Sequence, residues 1–314
     1  MNENPKNVSA IDRRRRRGVR TVSACRLSAS GDAPTREKCE VIVEDVLSVE
    51  VEGVGTYSLM WTPTESLAVA AGYTRSDGVL AERAEPEALA LAAGFCFTEG
   101  LIAAMDDIQS IAICPGSPGV VRVRLLDVAR AAGRRRSGLV TSSCGICGSR
   151  ELIENGIAGL SAVGDTLRLS GEHLSHLMAL MCKRQAVFQQ TGGAHAAAIF
   201  DSGGEVVAAA EDLGRHNALD KVIGSCLLRR QPLDGCGVLL SSRLSFEMIV
   251  KAVRARFQLV AAVSAPTSLA IEVANRYGIT LCGFVREERA TIYTHAGRVS
   301  DKAAGFPRRM ALAK

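Results

Sequence analysis

The sequence predicts an α/β fold: a three-layer α/β domain in the second half, preceded by a smaller α+β domain. Three observations carry this. In the second half, short apolar runs such as GVLLSS and LVAAVSA are each followed by a segment of helical period, SFEMIVKAVRARF and SLAIEVANRYG. That alternation places parallel strands beneath crossover helices. HAAAIF, DSGG and EVVAAAED then read as a hairpin with a Gly-containing turn. Finally, a chain of 314 residues favours two domains, and 47% hydrophobic residues supply the core that wholesale disorder would lack.

Each element follows in order. Residues 1–38 are polar, basic and without period, and are expected to be a disordered arm. The first domain spans 39–133. It opens on CEVIVEDVLSVEVEG, whose alternation gives one or two strands. SLMWTPTESLAVAAGYTRSDGVL reads as strand and turn, with Pro63 as punctuation. Pro86 to Glu99 is a helix, because Pro86 suits a first turn and Gly100 an end. IQSIAICPG and GVVRVRLLDVARAA give two more strands. Residues 134–150, rich in Gly, Ser and Arg, form a mobile loop. The second domain spans 151–300. Glu172 to Gln190 carries Leu174, Leu177, Met178 and Met181 near helical spacing and reads as one helix. The hairpin follows, then a helix over 215–229 and the alternating segments. ITLCGFVRE and ATIYTH are the last strands, and 301–314 is a tail. The order helix, hairpin, helix, strand, helix, strand resembles the cytidine-deaminase-like arrangement.

Charge narrows the function classes. The chain holds 38 basic and 33 acidic side chains, net +5, but residues 1–38 alone carry 10 and 4. The basic character belongs to the arm, whereas a nucleic-acid-binding protein needs a basic face on its fold. No nucleic-acid partner is expected. The richest apolar stretch, Phe257 to Ile271, is broken by Pro266, and no run approaches the length of a membrane span. No apolar region follows Arg13 to Arg17 as a secretory signal requires. The expectation is a cytoplasmic protein without a membrane partner.

Ten cysteines are spread mostly singly, and only Cys144 and Cys147 form a close pair, in SSCGICGS. Four readings compete for it. A zinc site lacks a second CxxC, and His173 and His176 make only a loose HxxH. A thioredoxin-type dithiol normally starts a helix after a strand. Two small structural residues would sit badly in so polar a loop. A sulfur-carrying thiol needs an exposed nucleophilic thiolate that can move. Arg134, Arg135, Arg136 and Arg150 nearby favour the thiolate, while Gly145 and Gly148 free the backbone. Spacing alone does not choose between the second and fourth readings. Elsewhere, TGGAH is either a plain turn or an approach to a phosphate, with Gly193 and His195 facing it. EDLGRHNALDK places Arg215 and His216 at a helix start. Such a start is either simply capped or an anion site. These four residues form a candidate pocket.

Seven blocks in order resemble the FdhD family of formate dehydrogenase accessory sulfurtransferases. They are PEALALAAGFCFTEGLI (86–102), SSCGICG (142–148), QQTGGAHAAAI (189–199), EDLGRHNALDKVIG (211–224), SSRLSFEMIVKA (241–252), VSAPTSLAIEVA (263–274) and CGFVREERATIYTH (282–295). The resemblance implies a persulfide sulfurtransferase. Sulfur would pass from a cysteine desulfurase to Cys144, assisted by Cys147. It would then pass to a molybdenum or tungsten bis-pterin guanine dinucleotide, bound as substrate and destined for formate dehydrogenase. The cofactor-binding segment maps onto Phe284, Val285, Arg286, Glu287, Glu288 and Arg289, where Arg286 and Arg289 offer planar forks to phosphate. No resident metal is implied, and a homodimer is expected. One departure is Ser242, where the resemblance leads one to expect glycine. The rival reading is a pterin-cofactor carrier without sulfur chemistry.

Overall fold

The computed structural model describes residues 18–29, 31, 33–64, 72–74, 86–129, 131, 138–140, 157–287 and 289–300. β1 (Val19–Arg26) and β2 (Thr35–Ile42) pair antiparallel, from Val19 opposite Ile42 to Arg26 opposite Thr35. The segment expected as a disordered arm over 1–38 is therefore a hairpin from Val19 onward, while residues 1–17 lie outside the described residues. The hairpin is solvated along most of both faces, so its strands need no apolar alternation, and composition concealed it. It holds to the body at its base. There Val19 and Ile42 pack on Val187 and Ala194, and Val43 N donates to the Gly18 carbonyl.

The N-terminal sheet contains β3 (Asp45–Val51), β4 (Gly55–Trp61), β5 (Gly72–Thr74), β6 (Ile108–Cys114), β7 (Ser117–Leu125) and β8 (Gly138–Val140). Their order is β5-β6-β7-β3-β4-β8, so the stretch 134–150 expected as a mobile loop contains a strand paired with β4 at 138–140, and the rest of it lies outside the described residues. Period-two alternation sends Leu47, Val49, Val51, Tyr57, Leu59 and Trp61 inward. On the outer face Arg122 and Arg124 of β7 pair with Glu50 and Glu52, the first across the parallel register with β3. α1 (Glu87–Thr98) follows Pro86 as expected. It is apolar nearly all round, which for a helix means burial on every side. Its residues from Ala88 to Thr98 are all buried.

The second half begins with β9 (Leu169–Ser170), α2 (Gly171–Lys183) and α3 (Ala186–Thr191). The single helix expected over 172–190 is thus two. Gln185 leaves the helical region at φ −81, ψ 66, and the Glu211 carboxylate accepts from Val187 N and Phe188 N at 2.8 Å each. A carboxylate on a helix start is favourable, and here it fixes a second helix where the apolar period alone shows one. Next come β10 (His195–Phe200), β11 (Val206–Asp212), α4 (Arg215–Leu228), β12 (Gly237–Leu240), α5 (Phe246–Arg254), β13 (Leu259–Ala262), α6 (Ser268–Tyr277), β14 (Thr280–Arg286), β15 (Arg289–Thr294) and β16 (Val299–Ser300), which pairs with β9. The sheet order is β11-β10-β12-β13-β14-β15. β11, β12, β13 and β14 share one direction, and β10 and β15 run against them. Alternate side chains serve two cores. Ala198, Phe200, Leu239, Leu259, Ala261 and Cys282 meet α2 on one face. Ala197, Ile199, Val238, Leu240, Val260 and Leu281 join the larger core on the other, together with α4, α5 and α6. This is the expected three-layer α/β arrangement.

The larger core does not stop there. It runs on through α1 into the N-terminal sheet, so both halves share one cluster. α1 and α4 cross so closely that a Cβ on Gly94 would overlap the Asp220 backbone, and one on Gly224 the Ala90 backbone. Two buried lysines add ionic ties. Lys221 Nζ lies 2.7 Å from both Glu87 Oε1 and Asp212 Oδ2, and 5.2 Å from the Trp61 ring centroid. Lys251 Nζ donates to Asp220 Oδ2 at 2.8 Å and Thr98 Oγ1 at 2.7 Å. Burial by itself would lower both lysine pKa values. Asp212 and Glu87 around Lys221, and Asp220 and Glu99 around Lys251, outweigh it and hold both ammonium groups charged.

Candidate functional site

Because β11, β12 and β13 share a direction, α4, α5 and α6 all start at one edge of the sheet. β10, running the other way, begins there with His195, and the β14–β15 turn ends there. The loops at this edge are stitched together. Ala196 N donates to Ser241 Oγ at 2.8 Å, Leu244 N to the Ala265 carbonyl at 3.1 Å, Thr267 N to the Leu244 carbonyl at 2.9 Å, and Phe284 N to the Ser264 carbonyl at 3.2 Å. In sheets of this kind ligands bind beyond the carboxyl ends of the strands.

The EDLGRHNALDK segment divides its residues between two duties. Asp212, wholly buried, accepts from Thr62 N, Gly214 N and Asn217 Nδ2 and pairs with Lys221. Asn217 also donates to the Met60 carbonyl. These side chains tie α4 to β4. Arg215 and His216, at the helix start, are left for the edge. His216 Nε2 stands 2.9 Å from Glu247 Oε2 in the first turn of α5. Arg215 Nε is buried and has no hydrogen-bond partner among the described residues, and the same holds for Ser245 Oγ. Ser245 occupies the N-cap position of α5 without capping it. His195 is held below the ordinary histidine pKa, first by burial and then by the Arg215 charge, so it is neutral at neutral pH. Two buried donors without partners, beside the starts of α4 and α5, suit an anionic, oxygen-rich ligand such as a diphosphate.

The structure separates the other sequence-predicted residues. Phe284 is 43% exposed and has φ +54, within an irregular stretch of β14 between Gly283 and Arg286. Such a backbone costs a bulky residue about 1–3 kcal/mol, and this strain presents an aromatic ring to solvent. Val285 points the other way. It is fully buried in the core under α2, so its side chain serves packing and only its backbone borders the edge. Arg286 faces Arg289 across the turn, with Glu287 at φ +49 in the tip. The two arginines flank the acidic tip rather than sharing it. Glu288 lies outside the described residues, as do Cys144 and Cys147. Gly193 sits against Ile42, where a Cβ would come within 2.9 Å of Ile42 Cγ2. Its missing side chain leaves room for Ile42 at the end of β2. Ser242 is buried and donates to the Arg243 carbonyl at 3.2 Å. Two cavities of about 470 and 610 Å³ lie elsewhere, one along β11 and one between Leu101 and Leu233, and neither is lined by the predicted residues.

Glu247 and Ser245 were missed in the sequence, where SFEMIVKAVRARF showed only an apolar helical period. A serine just before a helix start is the ordinary signature of a cap. Only the structure shows that Ser245 does not cap the helix.

A sequence model of the FdhD/NarQ family matches residues 84–300. Relatives named sulfur carrier protein FdhD include one from Streptomyces coelicolor, 41% identical over 276 residues, covering 84% of this chain and 90% of the relative. Another, from Bordetella bronchiseptica, is 41% identical over 263 residues, covering 83% and 87%. Among solved structures, a protein of Desulfotalea psychrophila described as a formate dehydrogenase accessory protein superposes with a TM-score of 0.66 at 20% identity. That match covers 90% of this chain and 99% of the other, and it bears on the fold. With a matched stretch that takes in α1, both core faces and the whole edge just described, the chain belongs to the FdhD/NarQ family.

Proposed function

We propose that the protein is a sulfur carrier for the maturation of formate dehydrogenase. It accepts sulfur from a cysteine desulfurase as a persulfide on the Cys144–Cys147 pair. It delivers that sulfur to a molybdenum or tungsten bis-pterin guanine dinucleotide held as substrate at the sheet edge. The names of the relatives and of the structural neighbour support the sulfur-carrying role and its link to formate dehydrogenase. The single observation that carries the substrate site is the edge itself. The helix starts of α4 and α5 meet there with the donors Arg215 Nε and Ser245 Oγ, partnerless among the described residues, and the aromatic ring of Phe284 stands exposed near the end of β14.

Each part has a task. Arg215, Ser245 and the first N–H groups of α4 and α5 would hold diphosphate oxygens, as preformed donors do for phosphate. Phe284 would lie against a flat ring system. Arg286 and Arg289 would face anionic groups arriving from solvent. In the loading step a thiolate of the pair attacks the terminal sulfur of the donor's persulfide. A new S–S bond forms as the donor's S–S bond breaks, and the donor leaves as a thiolate. The bound substrate supplies the metal that finally takes the sulfur.

The test combines Cys144→Ala with Cys147→Ala. The double variant is expected to bind guanine nucleotides as the parent does and to lose formate dehydrogenase activation. After incubation with a desulfurase and cysteine, the parent peptide holding both residues should gain about 32 Da, lost on reduction. Unimpaired activation by the double variant would mean a carrier of the pterin cofactor without sulfur chemistry.

A further inference from the structure

We infer that the cavity between the C-terminal ends of α1, α4 and α5 is a second ligand site, which takes a neutral, apolar ring molecule that presents an N–H or O–H donor to Gln231 Oε1. It lies at the far ends of α4 and α5 from the sheet edge. The 14 residues of α4 put it about 20 Å away at the rise of an α-helix, and it does not depend on what the edge binds.

The three helices end alike. After each, a residue in the left-handed region turns the chain back, Gly100 at φ +71, Arg230 at φ +53 and Arg256 at φ +59. The next N–H then reaches into the last turn. Leu101 N donates to the Cys96 carbonyl at 2.8 Å, Gln231 N to the Cys226 carbonyl at 2.9 Å and Phe257 N to the Ala252 carbonyl at 3.0 Å. In this motif the residue at that place ordinarily packs an apolar side chain against the helix it follows. Leu101 and Phe257 fit, at 3% and 0% exposed. Gln231 sets an amide where the motif calls for hydrocarbon. Its Oε1 is buried and has no hydrogen-bond partner among the described residues. Buried acceptors are rarely left without a donor. This one belongs to the lining of the cavity of about 610 Å³, a size common for small-molecule sites.

The rest of the lining defines the ligand. Phe97, Leu101, Ile102 and Leu233 are buried apolar walls. The cations nearby are already answered. Arg256 Nε lies 3.4 Å from Asp234 Oδ2, and Arg230 Nη2 lies 3.1 Å from Asp106 Oδ1. Arg254 sits in the last turn of α5, where a cation meets the negative end of its helix. The ligand therefore has to supply hydrocarbon and a donor rather than a charge.

The test uses the full chain and N-phenyl-1-naphthylamine, two apolar ring systems joined through a single N–H, whose fluorescence rises when it leaves water. It should bind the parent saturably, with one probe per chain. Gln231→Leu removes the acceptor at similar size. It should weaken binding about fivefold, the worth of one hydrogen bond, and leave the melting temperature no lower than that of the parent. In 1-phenoxynaphthalene an ether oxygen replaces the N–H. This competitor should displace the probe from the parent only weakly, and Gln231→Leu should not weaken its binding further. Ala103→Trp puts a bulky ring at an exposed position of the lining and should abolish probe binding. Phe284→Ala should leave probe affinity unchanged, which separates the cavity from the sheet edge. Absence of saturable binding by the parent, equal affinity or a lower melting temperature in Gln231→Leu, or loss of binding in Phe284→Ala would overturn the inference while leaving the reading of the edge as it stands.

Discussion

At the scale of single residues, burial sorts cysteines that look alike in a composition. Cys96 and Cys282 are wholly buried, and desolvation pushes each thiol up to about 12. Cys236 is pushed to about 11. Such thiols hold almost no thiolate at neutral pH and cannot act as nucleophiles. Brief treatment of the folded protein with iodoacetamide should label the exposed Cys25 and the peptide holding Cys144 and Cys147. Cys96 and Cys282 should react only after unfolding, and comparable labelling of Cys96 in the native protein would contradict this burial. The sequence announced these buried cysteines, because GFCFTEG and TLCGF surround them with apolar neighbours. It did not announce how EDLGRHNALDK divides its duties. Asp212, Asn217 and Lys221 turn inward while Arg215 and His216 meet the edge, and that depends on which side β4 covers, a contact more than 140 residues away in sequence.

Among the elements, those with a clear period or a run bounded by turns were legible. α4, α5 and α6 and strands β10 to β15 fall where the pattern put them. The failures share one cause, a partner distant in sequence. The Glu211 carboxylate splits the expected long helix into α2 and α3. The β1–β2 hairpin needs only its base against Val187 and Ala194 and so carries little apolar signal. The crossing of α1 and α4 was equally hidden, since nothing in the sequence joins Gly94 to Gly224, far away in the chain. Here they let the backbones touch. Gly94→Ala should destabilise the protein by about 3 kcal/mol, because the added methyl group has a main chain and no movable side chain to displace. A urea midpoint equal to that of the parent would show that the helices can separate without cost.

For the whole molecule, two expected domains turn out to share one core and two buried ionic ties, so the described body should unfold as a unit. The sole tryptophan, Trp61, lies under Lys221 at the join and reports on it directly. Its fluorescence and the far-UV circular dichroism should change together in urea, and two separated transitions would show that the layers hold independently. Lys221→Met leaves Asp212 and Glu87 as buried carboxylates without their cation. It should lower stability by about 3–5 kcal/mol, read as a shift of that common midpoint. The division of α4 between inward ties and outward chemistry also has a consequence for inheritance. A helix turns about 100° per residue, so with one residue gained or lost between His216 and Lys221, α4 could not keep Lys221 in the join and His216 at the edge together. Through this stretch, drift can exchange side chains one at a time, but it cannot change their number without dismantling the core and the edge in the same event.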